Sequence, residues 1–188
     1  MRIVFKNAAL VFAKAVWNAT GKIIKVASND AAAVTLPSNA SVYSRNLVDI
    51  NKLKLYTILN DAGVEVADSS SYFDHFIPVD GGTTLRSNCN FSRVYLYDKD
   101  KNLLLRYGVS ILPYFEVPAQ YNGIDVVYVK IQTASYTKDI LRTMIVTMGE
   151  TSEPTEFEEF RSNNTGEIYS PYSWVWADDL SEISISSK

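Results

Sequence analysis

Residues 71–107 read SYFDHFIPVDGGTTLRSNCNFSRVYLYDKDKNLLLRY, and this stretch decides the fold. Phe76-Ile77-Pro78-Val79 ends a short strand, and Asp80-Gly81-Gly82-Thr83 turns the chain. The glycines there supply the positive φ that tight turns require and that a Cβ resists. Residues 92–98, S-R-V-Y-L-Y-D, alternate side chains to the two faces of a strand. Lys99-Asp100-Lys101-Asn102 then hands over to Leu103-Leu104-Leu105-Arg106-Tyr107. Two β-prone runs joined by about four turn residues predict a hairpin. The stretch therefore reads as the centre of an antiparallel sheet, with nothing in it that looks like a catalyst.

A chain of 188 residues, 47% hydrophobic and 21% charged, can bury a full core. Its twelve tyrosines and eight phenylalanines favour strands over helices. The net charge of −3 argues against nucleic acid, which needs a basic face to release counterions. No run of about 20 apolar residues is present to predict a membrane span. Cys89 is the only cysteine, so it reads as a buried thiol outside any intrachain disulfide. The N-terminal MRIVFKNAALVFAKAVW is interrupted by Lys6, Asn7 and Lys14. Its longest clean run, residues 8–13, falls short of a secretory signal core of about 7–15 residues. Export by that route is not expected.

Outward from the centre, residues 2–5, 10–12, 16–17 and 23–26 are short β-prone runs, with a turn at 18–21. They form an N-terminal arm, either an added hairpin or a segment docking on a neighbouring chain. Residues 27–44 are small, polar and interrupted by Pro37, which predicts a loop or linker. NLVDINKLKLYTIL (46–59) predicts a strand entering a hairpin through Asn60-Asp61-Ala62-Gly63, with Leu53, Leu55 and Ile58 inward. A short helix over 48–59 is the competing reading. Pro113 and Pro118 make 111–118 an edge strand or crossover loop, because proline cannot donate to a ladder. Residues 121–124 predict a turn, 125–131 a central strand, 133–142 a loop with one helical turn, and 141–148 a returning strand. Val94, Leu96, Ile77, Val127 and Val129 are the expected buried positions. The tail, residues 161–188, is turn-rich and then aromatic.

The order strand, I-P-V, D-G-G-T, V-Y-L-Y-D, turn, strand resembles a carbohydrate-binding-module-like jelly-roll domain of phage fibre and tail proteins and gut-bacterial surface proteins. The continuation through Asp125-Val-Val-Tyr-Val-Lys-Ile131 and MIVTMGETSEPTEFEEF (144–160) is similar as well. The resemblance spans about residues 47–160. It implies an all-β, antiparallel two-sheet jelly-roll β-sandwich over 44–160. The N-terminal arm and linker (1–43) and the aromatic C-terminal tail (161–188) lie outside it.

Asp98, Asp100 and Asn102 imitate the first ligands of a helical calcium loop. Leu103 stands where that loop needs Gly, and no Glu follows at the twelfth position, so solvated turn charges fit better and no metal or other cofactor is expected there; the jelly-roll resemblance leaves a structural calcium held by other loops as the alternative. Asp74 and His75 are neighbours in an extended segment and face opposite sides, which rules against a triad. Glu153, Glu156, Glu158 and Glu159 read as a solvated acidic end; a glycosidase pair would have to flank a sugar cleft. The chain is expected not to be an enzyme. Trp and Tyr rings offer flat surfaces to the apolar faces of sugars. Trp174 and Trp176, rimmed by Tyr169 and Tyr172, are the candidate ligand-binding residues, in a turn-rich segment where rings stay exposed. Tyr95, Tyr97 and Tyr107 are the other ring group, and core or intersubunit packing is the competing role for both.

The resemblance implies a non-catalytic virion structural protein, a head-fibre, tail-fibre or tail-tip module assembled in the host cytoplasm. Its expected partners are its own copies (as a trimer), other virion proteins and a cell-surface glycan. The alternative is a carbohydrate-binding module of a bacterial surface or secreted protein.

Overall fold

The computed structural model describes residues 23–27, 31–36, 38, 40–170, 172–177 and 184–187. The arm strands expected at 2–5, 10–12 and 16–17, and the turn at 18–21, lie outside them. In chain order the strands are β1 (Ile23–Ala27), β2 (Ala31–Thr35), β3 (Ser41–Tyr43), β4 (Leu53–Lys54), β5 (Thr57–Leu59) and β6 (Glu65–Ala67). There follow β7 (Ser71–Phe73), β8 (Ile77–Pro78), β9 (Thr84–Tyr97), β10 (Leu103–Glu116), β11 (Gln120–Tyr121) and β12 (Ile124–Asp125). The series closes with β13 (Tyr128–Thr133), β14 (Val146–Met148), β15 (Ser162–Asn163), β16 (Tyr172–Trp176) and β17 (Ser184–Ser187). One α-helical turn, α1 (Lys138–Leu141), and a 3-10 turn at Ile50–Lys52 complete it. Every pairing among the described residues is antiparallel, so the architecture is all-β and sandwich-like, as expected. The chain forms two compact units, Leu47–Glu159 and the two flanks Met1–Asn46 with Phe160–Lys188.

The larger unit is built on a sheet in the order β10-β9-β13-β7-β4, with β14 also on β9 and β8 on β13. The predicted hairpin is its spine: Leu103 pairs with Tyr97 and Tyr107 with Val94. Asp98 holds the turn. Its Oδ1 accepts from the N–H groups of Asp100 (2.9 Å) and Asn102 (2.8 Å), and its Oδ2 from Asn102 Nδ2 (2.9 Å). Both carboxylate oxygens of Asp98, the first ligand position of the imitated calcium loop, are thus engaged in closing a turn. The five expected core positions, Ile77, Val94, Leu96, Val127 and Val129, are all buried. The 60–64 turn also forms as expected, pairing β5 with β6 in place of a helix; Gly63 takes φ +75° and Asn60 Oδ1 accepts from Ala62 and Val64.

The hairpin strands are 14 residues each, longer than the reading allowed. Leu85, Ser87, Cys89 and Phe91 point inward while Thr84, Arg86, Asn88 and Asn90 do not, so 84–91 is an alternating strand hidden by its polar face. At Ser92 the β9 strand carries an extra residue relative to β13, and the Ser92 hydroxyl donates to Thr133 O at 2.8 Å to seal the bulge. Residues 111–116 continue β10 at the sheet edge, where Pro113 leaves no ladder bond unmade. A buried polar chain ties β5 to this sheet. The Tyr95 hydroxyl accepts from Leu59 N–H (3.1 Å) and donates to Gln132 Oε1 (2.5 Å), and Gln132 Nε2 donates to Ser92 Oγ (2.9 Å).

The flanking unit corrects one expectation. Residues 27–44 are not a plain linker: β2 and β3 lie within them, β2 pairing with β17 and β3 with β15 and β16. The second sheet runs β1-β16-β3-β15, so strands from the two chain ends interleave. Val26, Val34, Ala40, Val42, Tyr169, Val175 and Ala177 form its core. Gly166 takes φ +87°, its carbonyl accepts from Val34 N–H at 3.0 Å, and a Cβ on it would lie 1.7 Å from Val34 O.

Candidate functional site

The four rings proposed as a sugar platform sit on or beside β16, which the sequence reading left as turn-rich. Its alternation sends Ser173 and Val175 one way and Tyr172, Trp174 and Trp176 the other, so the two indoles do share a face. That face is not open. Trp174 is only 4% exposed, Tyr169 and Tyr172 are buried, and Trp176 is half-buried. The Lys25 ammonium, on the neighbouring β1, lies 3.6 Å from the Tyr172 ring centroid and 5.8 Å from that of Trp174. Tyr172 and Trp174 meet edge-to-face at 5.9 Å. Tyr169 is fixed from both ends: Asn163 Nδ2 donates to its hydroxyl (2.8 Å) and Arg161 stacks 4.5 Å from its centroid. Stacking of a sugar needs a ring face in solvent, so these rings pack where exposure was expected.

Of the second ring group, Tyr95 and Tyr97 are core, and burial pushes both hydroxyl pKa values up. Phe76 packs edge-to-face on Tyr97 (4.9 Å) and Tyr128 (5.9 Å). Lys130 closes this cluster, 4.5 Å from the Phe76 centroid, with its Nζ 2.6 Å from Asp74 Oδ1. The cations over these rings are the protein's own, which makes the cluster a packing device.

Tyr107 differs: it is 45% exposed and stands at the start of a break in β10. Between Gly108 (opposite Arg93) and Leu112 (opposite Phe91) the pairing skips, and Leu112 to Tyr114 skips again. In the first break the excess residues lie on β10, at 109–111, and bulge out; in the second the excess lies on β9. Val109 tucks in, while Ile111 is thrown into solvent, 60% exposed. Ile111 also adopts φ +52°. A β-branched residue in the left-handed region is a genuine outlier, and such strain concentrates at binding sites. The bend folds the strand back enough to bring the Tyr107 and Phe115 rings to 5.2 Å. Beyond it Tyr114, 44% exposed, lies beneath the Arg86 guanidinium at 5.5 Å. Arg86 is itself held by donating Nε to Glu150 O at 2.8 Å. Tyr107, Ile111 and Tyr114 are thus all exposed along one bulged sheet edge, Tyr107 on the face of Phe115 and Tyr114 on the other, beneath a fixed cation. Ile111 and Tyr114 escaped the sequence reading; a β-branched residue before Leu-Pro in an apolar run was the available signal.

His75 is half-buried, edge-on to Phe73 (6.4 Å between ring centroids), with Nε2 2.9 Å from Leu47 O. Burial lowers its pKa, against the raising effect of the Leu47 carbonyl. Partial burial works to raise the Asp74 pKa, but the hydrogen bond and charge of Lys130 outweigh it and hold the carboxyl low. Both shifts act in the same direction on stability. A depressed folded pKa means that the unfolded chain takes up the proton first, so stability present at neutral pH is lost on acidification. Loss through His75 begins near its ordinary value of 6.5, and loss through Asp74 below 3.8. Thermal melts should therefore begin to fall as the pH drops below about 6.5, and His75→Gln should flatten that step alone. A melting temperature constant from pH 7 to 5 would contradict this placement of His75.

Among the described residues no group of three or more His, Cys, Asp or Glu is placed to hold a metal ion, and no helix is long and apolar enough to cross a membrane. Compared with known proteins, the chain matches no family model, no curated protein and no solved structure.

Proposed function

We propose that this protein is a non-catalytic assembly and attachment module of a virion surface, of the head-fibre, tail-fibre or tail-tip kind, on a jelly-roll-type scaffold. The reading rests on one observation: Tyr107, Ile111 and Tyr114 are all exposed along one edge strand, which is strained at Ile111. Rings held on a rigid sheet lose little entropy on binding and present a flat apolar face to a sugar or a protein. Cell-surface glycan is the proposed ligand, stacking on Tyr107 and Tyr114. Self-association into a homo-oligomer, a trimer by the resemblance, presents several such edges at once and multiplies weak attachment.

The test is binding to a glycan array and to whole cells. Tyr107→Ala with Tyr114→Ala should lower binding at least about fivefold, from two ring contacts of about 0.5–1.5 kcal/mol each. The melting temperature should barely move, because both rings are nearly half in solvent already. Undiminished binding by the double variant would refute the edge as the attachment site.

A further inference from the structure

The larger unit carries a second concave surface, a cleft of about 480 Å³ lined by Ile50, Asn51, Leu53, Leu55, Lys138 and Arg142. Its floor is aliphatic and half-buried, and among the described residues its ionic lining is two exposed cations. Lys138 and Arg142 are one turn apart along α1 and its cap, so both ammonium and guanidinium rise from the same side. Asp139 takes part of the Arg142 charge at 3.6 Å, with both side chains largely in solvent, a weak pair. Asn51, also in the lining, has its amide engaged: its N–H (2.9 Å) and Nδ2 (3.0 Å) both donate to Asp49 Oδ1. What remains is an apolar slot under a positive rim, on a chain whose net charge is −3.

The same unit carries the complement. Residues 150–159, ETSEPTEFEE, hold Glu150, Glu153, Glu156, Glu158 and Glu159 in a segment without regular structure. In their midst Phe157 is 55% exposed, a large apolar ring flanked by carboxylates. We infer that the Phe157 segment of one copy docks into the Lys138–Arg142 cleft of a second copy. Phe157 fills the slot over Leu53 and Leu55, and acidic residues beside it, Glu156 among them, meet the two cations. Cleft and segment are different surfaces, so the contact is heterologous: repeated, it closes a ring or extends a filament. This inference rests on the self-association proposed above and names the surfaces that carry it.

Charge reversal tests it by mass measurement in native solution. Lys138→Glu with Arg142→Glu, and separately Glu153→Lys with Glu156→Lys, should each weaken self-association about tenfold or more. The fourfold variant carrying both reversals should regain it, which a merely misfolded variant would not do. A wild-type oligomer that persists in either double variant, or a fourfold variant that stays dissociated, overturns this interface and leaves self-association by another surface standing. A wild-type chain that is monomeric overturns the assembly reading itself, and this interface with it.

Discussion

Phe91→Ala is expected to lower the unfolding free energy by about 3–5 kcal/mol, a large share of the stability of a domain this size. Phe91 is fully buried on β9 and sits where the registers of both neighbours break, opposite Leu112 on β10 and Thr133 on β13. Its ring fills the space under two bulges, and backbone that is already irregular on both sides cannot close over the cavity by a simple strand shift. Denaturant melts give the number, and a loss under about 1 kcal/mol would mean that the site collapses and that the bulges are not supported by this ring.

Gly166→Ala is expected to be the most damaging change in the flanking unit. The left-handed backbone alone costs a Cβ-bearing residue about 1–2 kcal/mol, and here the Cβ would also sit 1.7 Å from Val34 O. The carbonyl of Val34 cannot retreat without disturbing the strand in which Val34 N–H bonds Gly166 O at 3.0 Å. Amide exchange along β2 should speed up markedly in the variant. Unchanged protection at Val34 would contradict the pairing of the two chain ends.

These two sites mark where the sequence was readable and where it was not. The 92–107 hairpin was legible because its alternation and its turn residues are local: Tyr97 to Leu103 needs only the five residues between them. Phe91 lies in the part of β9 that was missed, since Arg86, Asn88 and Asn90 disguise the inward Leu85, Ser87, Cys89 and Phe91. β2 and β3 were illegible for a stronger reason. AAAVT and SVY have little strand signal of their own and are fixed by partners at Ser184–Ser187 and Tyr172–Trp176, at the far end of the chain. Pairing over that separation overrides local propensity. The same partnership explains the tail aromatics. The W-V-W spacing correctly placed both indoles on one face, but whether that face met solvent depended on Lys25 and the neighbouring strands. For the candidate site, Tyr107 was legible as a ring on the central sheet. Its exposure, and the company of Ile111 and Tyr114, follow from a bulge set by cross-strand register.

The central claim is that the β10 edge is the contact surface, and amide hydrogen exchange addresses it most directly. Exchange is to be followed along the whole chain, free and saturated with the strongest binder from the glycan array. The account predicts new protection over residues 107–114, centred on the Ile111 bulge, and none over Tyr172–Trp176. Protection confined to Tyr172–Trp176, with 107–114 exchanging as in the free protein, would contradict it.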